Sequence, residues 1–212
     1  LYFNACGTST GCEPWVSDGT LAGTRLLRDV RPGDADSNPT RFVEAGGAVF
    51  FLADDGSHGQ ELWVTDGTED GTTLVVDLRP GTTGADINAL VAFAGEAYFE
   101  AHDGAAGSEL WRSDGSSAGT QMVADLATGA GSSTPGELTV VGAELYFAAA
   151  GSGTGRELYR TAGSGAVLVL DIQPGGAASN PARFAALALF ALALSLVLAG
   201  AVWTLGLANF NI

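Results

Sequence analysis

Lysine is missing from this sequence. All nine basic residues are arginine, set against 24 acidic residues, for a formal charge of −15. Binding to DNA or RNA relies on lysines and arginines that neutralise phosphates, so this balance excludes a nucleic-acid partner. Charged residues are few, at 16% of 212 residues, while glycine reaches 31. That combination argues against long helices over most of the chain and for short strands joined by turns. Cysteine and histidine occur only twice each. No third cysteine or nearby histidine completes four ligands around Cys6 and Cys12, which argues against a zinc site there. There is no initiating methionine and no secretory leader, and the chain opens at Leu1 inside a strand-like run. It reads as a fragment of a longer protein, so the missing leader carries no information about compartment.

What the sequence does contain is a repeat. Trp15, Trp63, Trp111 and Tyr159 stand 48 residues apart. Leu1-Tyr2-Phe3, Val49-Phe50-Phe51, Ala97-Tyr98-Phe99 and Leu145-Tyr146-Phe147 share that register, as do Asp29, Asp77 and Asp125. Asp171 follows Asp125 by only 46, because the fourth unit is two residues shorter near Gly163-Ser164-Gly165. A fixed period of this length sets the fold before any motif is considered.

Each unit reads as four strands, taken here as 40–46, 48–54, 60–66 and 72–78, separated by Asp-Gly and Pro-Gly turns or glycine-rich loops. Phe50 and Phe51 fall on opposite faces of one strand by the two-residue alternation, so that sheet needs cover on both sides. Blades stacked around an axis provide it. The expectation is an all-β chain: a β-propeller, or an open arc of one, with about four four-stranded blades (units near 1–48, 49–96, 97–144 and 145–184), followed by a C-terminal hydrophobic helix.

Glu61-Leu62-Trp63, two variable residues, then Asp66-Gly67-Thr68 resembles the signature of the bacterial ELWxxDGT-repeat proteins, and four tandem copies carry the resemblance over residues 1–184. The first copy has Pro14 in place of leucine; the fourth has Tyr159 for tryptophan and Ala162 for the turn aspartate. The resemblance implies a secreted or surface-exposed bacterial protein of propeller-like build, with no catalytic residues to carry over. In the motif, Trp15, Trp63, Trp111 and Tyr159 supply bulk between sheets, and Asp18, Asp66 and Asp114 close a hairpin. Glu13, Glu61, Glu109 and Glu157 lie two residues before the aromatic and share its face. A buried carboxylate there needs hydrogen-bond donors, either from a neighbouring blade or from a ligand.

Other residues are candidates for chemistry. Cys6 and Cys12 flank "CGTSTGC" at the base of a hairpin, where a disulfide fits and implies an oxidising compartment. Gly7-Thr8-Ser9-Thr10-Gly11 matches a serine-hydrolase elbow, but that elbow requires a helix after the serine and here a strand is expected. Asp34 and Asp36 begin like a calcium loop, yet Pro39 and Ala45 occupy positions where an EF-hand has glycine and glutamate. What remains is a looser calcium site or a solvated turn. His58 and His102 hold non-equivalent repeat positions and read as surface or loop residues, His58 in a hairpin loop. Asp29, Asp77, Asp125 and Asp171 form either an acidic ring or bonds to the adjacent turns.

From Ala185 to the C-terminus no residue is charged. A helix there would be long enough, at about 1.5 Å per residue, to cross a hydrocarbon core of about 30 Å. The alternatives are a strand of a next blade followed by a buried segment, or a shifted reading frame. The functional expectation is a non-enzymatic, extracytoplasmic repeat module offering a surface to an extracellular protein or carbohydrate, with membrane contact through the tail. The competing readings are a piece of a polysaccharide-acting enzyme whose catalytic residues lie elsewhere, and a passive surface spacer.

Overall fold

The computed structural model describes residues 1–186. They form fifteen antiparallel strands in four sheets, each sheet a simple meander in chain order. The first sheet has three strands, β1 (Tyr2–Gly7), β2 (Gly11–Val16) and β3 (Arg25–Leu26). The second holds β4 (Thr40–Ala45), β5 (Ala48–Asp54), β6 (Gln60–Thr65) and β7 (Thr73–Leu74). The third holds β8 (Leu90–Phe93), β9 (Glu96–His102), β10 (Ser108–Ser113) and β11 (Gln121–Ala124). The fourth holds β12 (Gly136–Val141), β13 (Glu144–Gly151), β14 (Gly155–Thr161) and β15 (Val167–Leu170).

The two-faced strands settle how the sheets stack. Phe51 packs with Val30, Ala53 and Trp63 on the side of the first sheet. Its neighbour Phe50 packs with Leu90, Phe99 and Trp111 of the third. Tyr98 repeats the pattern one sheet on, among Leu145, Phe147 and Tyr159. The inner strands β4 and β8, and β8 and β12, touch in sequence, and β1 touches β4. Consecutive sheets therefore fan out from a shared inner seam, each covering its neighbour's apolar face, as propeller blades do.

The repeat units drawn near 1–48, 49–96, 97–144 and 145–184 meet within sheets, and the strands read over 40–78 fall together in the second sheet, since β4, β8 and β12 join the hairpin that follows them. Two expectations need correction. The first sheet has three strands among the described residues, not four. The fourth strand, expected over 72–78, pairs only at Thr73–Leu74 in the second sheet. The Val75 amide still reaches Leu62 O at 3.0 Å, but the Arg79 amide turns to a Glu61 carboxylate oxygen at 3.4 Å. A buried side chain thus takes the donors that a longer ladder would have used. The hydrophobic helix expected over 185–212 lies, from residue 187 onward, outside the described residues. Among the described residues no helix is long and apolar enough to cross a membrane.

Candidate functional site

The repeated glutamates are fully buried: Glu13, Glu61, Glu109 and Glu157 are each 0% exposed. Glu13 lies on β2 and the others on β6, β10 and β14, each facing the link that follows its sheet. Glu13 accepts from the Val30 amide at 2.9 Å, the Ser37 amide at 3.0 Å and the Ser37 hydroxyl at 2.6 Å. Glu109 accepts from the Leu126 and Ser133 amides, both at 3.1 Å, and from the Ser133 hydroxyl. Glu157 accepts in the same way from Ile172 and from the amide and hydroxyl of Ser179. A carboxylate taking three donors is satisfied in the absence of solvent, and it pins the outgoing link against its own blade.

The aspartate of the motif builds a different device at the opposite end of the strand. Asp66 Oδ1 accepts from the Thr68 amide at 2.9 Å and the Thr68 hydroxyl at 2.6 Å. Thr68 Oγ1 in turn accepts from the Gly71 amide at 2.9 Å, and Thr72 Oγ1 meets Thr65 Oγ1 at 2.8 Å. A Cβ on Gly71 would collide with the Asp66 carboxylate, which is why glycine recurs there. Asp18 with Thr20 and Asp114 with Ser116 repeat these bonds. They also hold Asp18, Asp66 and Asp114 below the usual carboxylate range. In the fourth sheet Ala162 removes the acceptor, and only the Gly163 amide to Thr161 Oγ1 bond survives, at 3.1 Å. The aromatics fill the space between: Trp63 and Trp111 are buried, Tyr159 stacks on Phe147, and Trp15 is half-buried.

The sheet ends differ in what they present. One end carries the Asp-Gly-Thr loops, tied across sheets by the Arg25 guanidinium to Gly67 O at 2.6 Å and Arg28 to Thr72 O at 2.7 Å. The other end gathers the turns between second and third strands with the long links, joined for instance by the Asp54 amide to Ser37 O at 3.0 Å and the His102 amide to Ala85 O at 2.8 Å. Most of the residues singled out for chemistry lie here. Cys6 and Cys12 are paired opposite each other across the β1–β2 hairpin and are disulfide-bonded. Ser9 sits in the turn between those strands, with no helix behind it. Asp36 Oδ1 accepts from the Cys12 amide at 2.8 Å, so one oxygen of the Asp34/Asp36 pair is already engaged. Among the described residues no three His, Cys, Asp or Glu side chains converge as metal ligands. His58 Nδ1 lies 2.7 Å from Asp55 Oδ2, and this hydrogen bond raises the imidazole above its ordinary range. His102 Nδ1 accepts from the Gly104 amide at 2.7 Å. Asp29, Asp125 and Asp171 each accept from a glycine amide four residues on, in the adjacent turn.

Two features at this end left no clear mark in the sequence reading. The serine partners Ser37, Ser133 and Ser179 went unnoticed; their signal was a serine 24 residues after the glutamate, or 22 in the shortened unit. The other is Glu100, which stands in β9 where β5 has Leu52 and β13 has Ala148. Burial pushes its carboxyl up, while Arg156 of the fourth sheet and Asn88 act against that rise. Nearby, Arg79 pairs with Asp86 at 2.9 Å, and Arg156 donates to Thr134 O at 2.6 Å. Carboxylate, amide and guanidinium groups along this seam offer donors and acceptors to a polar ligand.

No family model matches the chain, and no curated protein matches it. Among solved structures, one from a study of two prolyl endopeptidases aligns with a TM-score of 0.50 at 16% identity, over 86% of this chain and 28% of that one. A putative TolB from Agrobacterium tumefaciens aligns with a TM-score of 0.46 at 10% identity, over 82% of this chain and 62% of that one. The chain spans less than two thirds of either neighbour's length. This is a propeller-like fold. At such identity the likeness extends to architecture and no further.

Proposed function

We propose that the chain is a non-enzymatic, extracytoplasmic propeller module of the ELWxxDGT-repeat kind, presenting its turn-and-link end to an extracellular protein or carbohydrate. The observation that carries this is a division of labour within the repeat. Glutamate, tryptophan and the Asp-Gly-Thr residues are engaged in holding blades together, whereas the turns between second and third strands differ in every sheet: "CGTSTGC", "DDGSHG", "HDGAAG" and "GSGTG". A constant frame carrying variable loops is how rigid scaffolds present binding residues. The Cys6–Cys12 disulfide supports a compartment that is oxidising. The uncharged tail, 185–212, would then act as a membrane tether.

The test is a glycan array and a panel of extracellular matrix proteins probed with the module and with a variant whose 55–59 and 103–107 turns are replaced by glycine-serine. Binding lost in that variant, and kept when the Asp-Gly-Thr end is altered instead, is the expected result. Binding indifferent to both changes, or hydrolysis of an arrayed polysaccharide, would overturn the reading. The tether is tested separately by fusing residues 180–212 to a soluble reporter and asking whether it stays with membranes through carbonate extraction.

A further inference from the structure

The serine that satisfies the buried glutamate is missing from one blade. Position 85, midway in register between Ser37 and Ser133, is alanine. Ala85 is fully buried, and its amide goes to Gln60 O at 3.2 Å and makes no bond to the carboxylate. Glu61 is left with a long bond from the Arg79 amide, 3.4 Å, on Oε1, and its buried Oε2 has no partner. An ionised oxygen without donors or solvent is costly, and the neutral acid is much less so. Asp77, whose charge bears on Glu61, also has a buried Oδ1 without a donor.

We propose that Glu61 is a proton-binding site of the second blade, holding its proton in mildly acidic medium and releasing it as the medium turns alkaline. Release loosens the contact between β6 and its outgoing link, the contact that a serine locks in the other three blades. Burial is the main cause of the shift, and it moves the Glu61 carboxyl to about 7, with Asp77 adding to the rise. The His58 charge opposes it, but His58 is itself bonded to Asp55. Among the charged groups of the adjoining turns and links, Arg79 pairs with Asp86 and Arg31 with Asp54, Asp29 and Asp36 accept backbone amides, and Glu100 in β9 is itself raised by burial. Burial also raises the Glu13 carboxyl, yet there hydrogen bonds from Ser37 and Val30 act against the rise.

The folded value of Glu61 exceeds its unfolded value, so the folded state binds the extra proton. Its contribution to stability is complete below about pH 4.5 and disappears as pH rises through about 7. His58, raised by Asp55, changes stability in the same direction, so a His58→Gln background separates the two. In that background the melting temperature is expected to fall between about pH 5 and pH 8.5, and adding Glu61→Gln should make the fall smaller, leaving the part that the raised Glu13 and Glu100 carboxyls contribute. Ala85→Ser, which restores the group the other blades accommodate, should move the Glu61 midpoint down by about one pH unit or more. Carbon-detected NMR of the unmutated protein reads that midpoint directly and does not depend on any variant folding. A Glu61 midpoint near that of an ordinary carboxylate, or a melting profile unchanged by Glu61→Gln, would overturn the proposal.

Discussion

The second and fourth sheets are built from the same repeat, yet their outer strands have different fates. In the second sheet Val75 is 6% exposed, packed beneath the third sheet. Its counterpart on the fourth sheet, Val169, lies open at 42% exposed, and the next residue, Leu170, is 62% exposed. The fourth sheet has also lost the turn aspartate at Ala162 and two residues of its loop, while Glu157 keeps its full set of donors. Burial of a blade's face is therefore conferred by the neighbour, whereas the glutamate clamp belongs to the blade itself. The two parts of the motif can fail independently.

The largest expected effect tests burial by a neighbour. Phe51→Ala should cost about 3–5 kcal/mol in chemical denaturation, since Phe51 is 0% exposed between two sheets. Leu170→Ser on the open face should change stability by less than about 0.5 kcal/mol. Equal losses would show that the fourth sheet's face is covered in solution. Next comes the disulfide, which no other sheet repeats. Opening it with reductant should cost about 2 kcal/mol by the chain-entropy account of a loop this short, read as a lower melting temperature. A smaller effect, about 1–2 kcal/mol, is expected for Ser133→Ala, which makes the third blade resemble the second and strips the hydroxyl from Glu109. The smallest change, a slight drop in melting temperature, is expected for Asp66→Ala, which removes the acceptor for both Thr68 donors. Ala162→Asp should restore a little stability, because Ser164 stands two residues on, where Ser116 answers Asp114 in the third sheet.

Much of this was legible from spacing. The 48-residue period located the strands, the Phe50–Phe51 pair required sheets covered on both sides, and the Cys6/Cys12 positions fell opposite each other across a hairpin. What escaped was long-range within a unit. Ser37 is 24 residues from Glu13 and joins it only because the link folds back over β2, a path that no local periodicity encodes. The fourth strand was overextended for the same reason: residues 75–78 look like a strand by composition, but their neighbours' amides are claimed by Glu61. Glu100 carries no signal in its local sequence, because its burial and the nearby Arg156 charge come from the neighbouring sheet.

By itself the sequence determined the units, their strands, the turns that demand glycine and the disulfide hairpin, because each depends on residues close along the chain. Tertiary structure alone decided which carboxylates are satisfied. The four glutamates are identical in local sequence terms, Glu-x-aromatic on a strand, and their difference arises from one position two dozen residues away. Whether a hydroxyl or a methyl group arrives there sets the cost of a buried charge, and that cost exists only once the link has closed over the blade and excluded water.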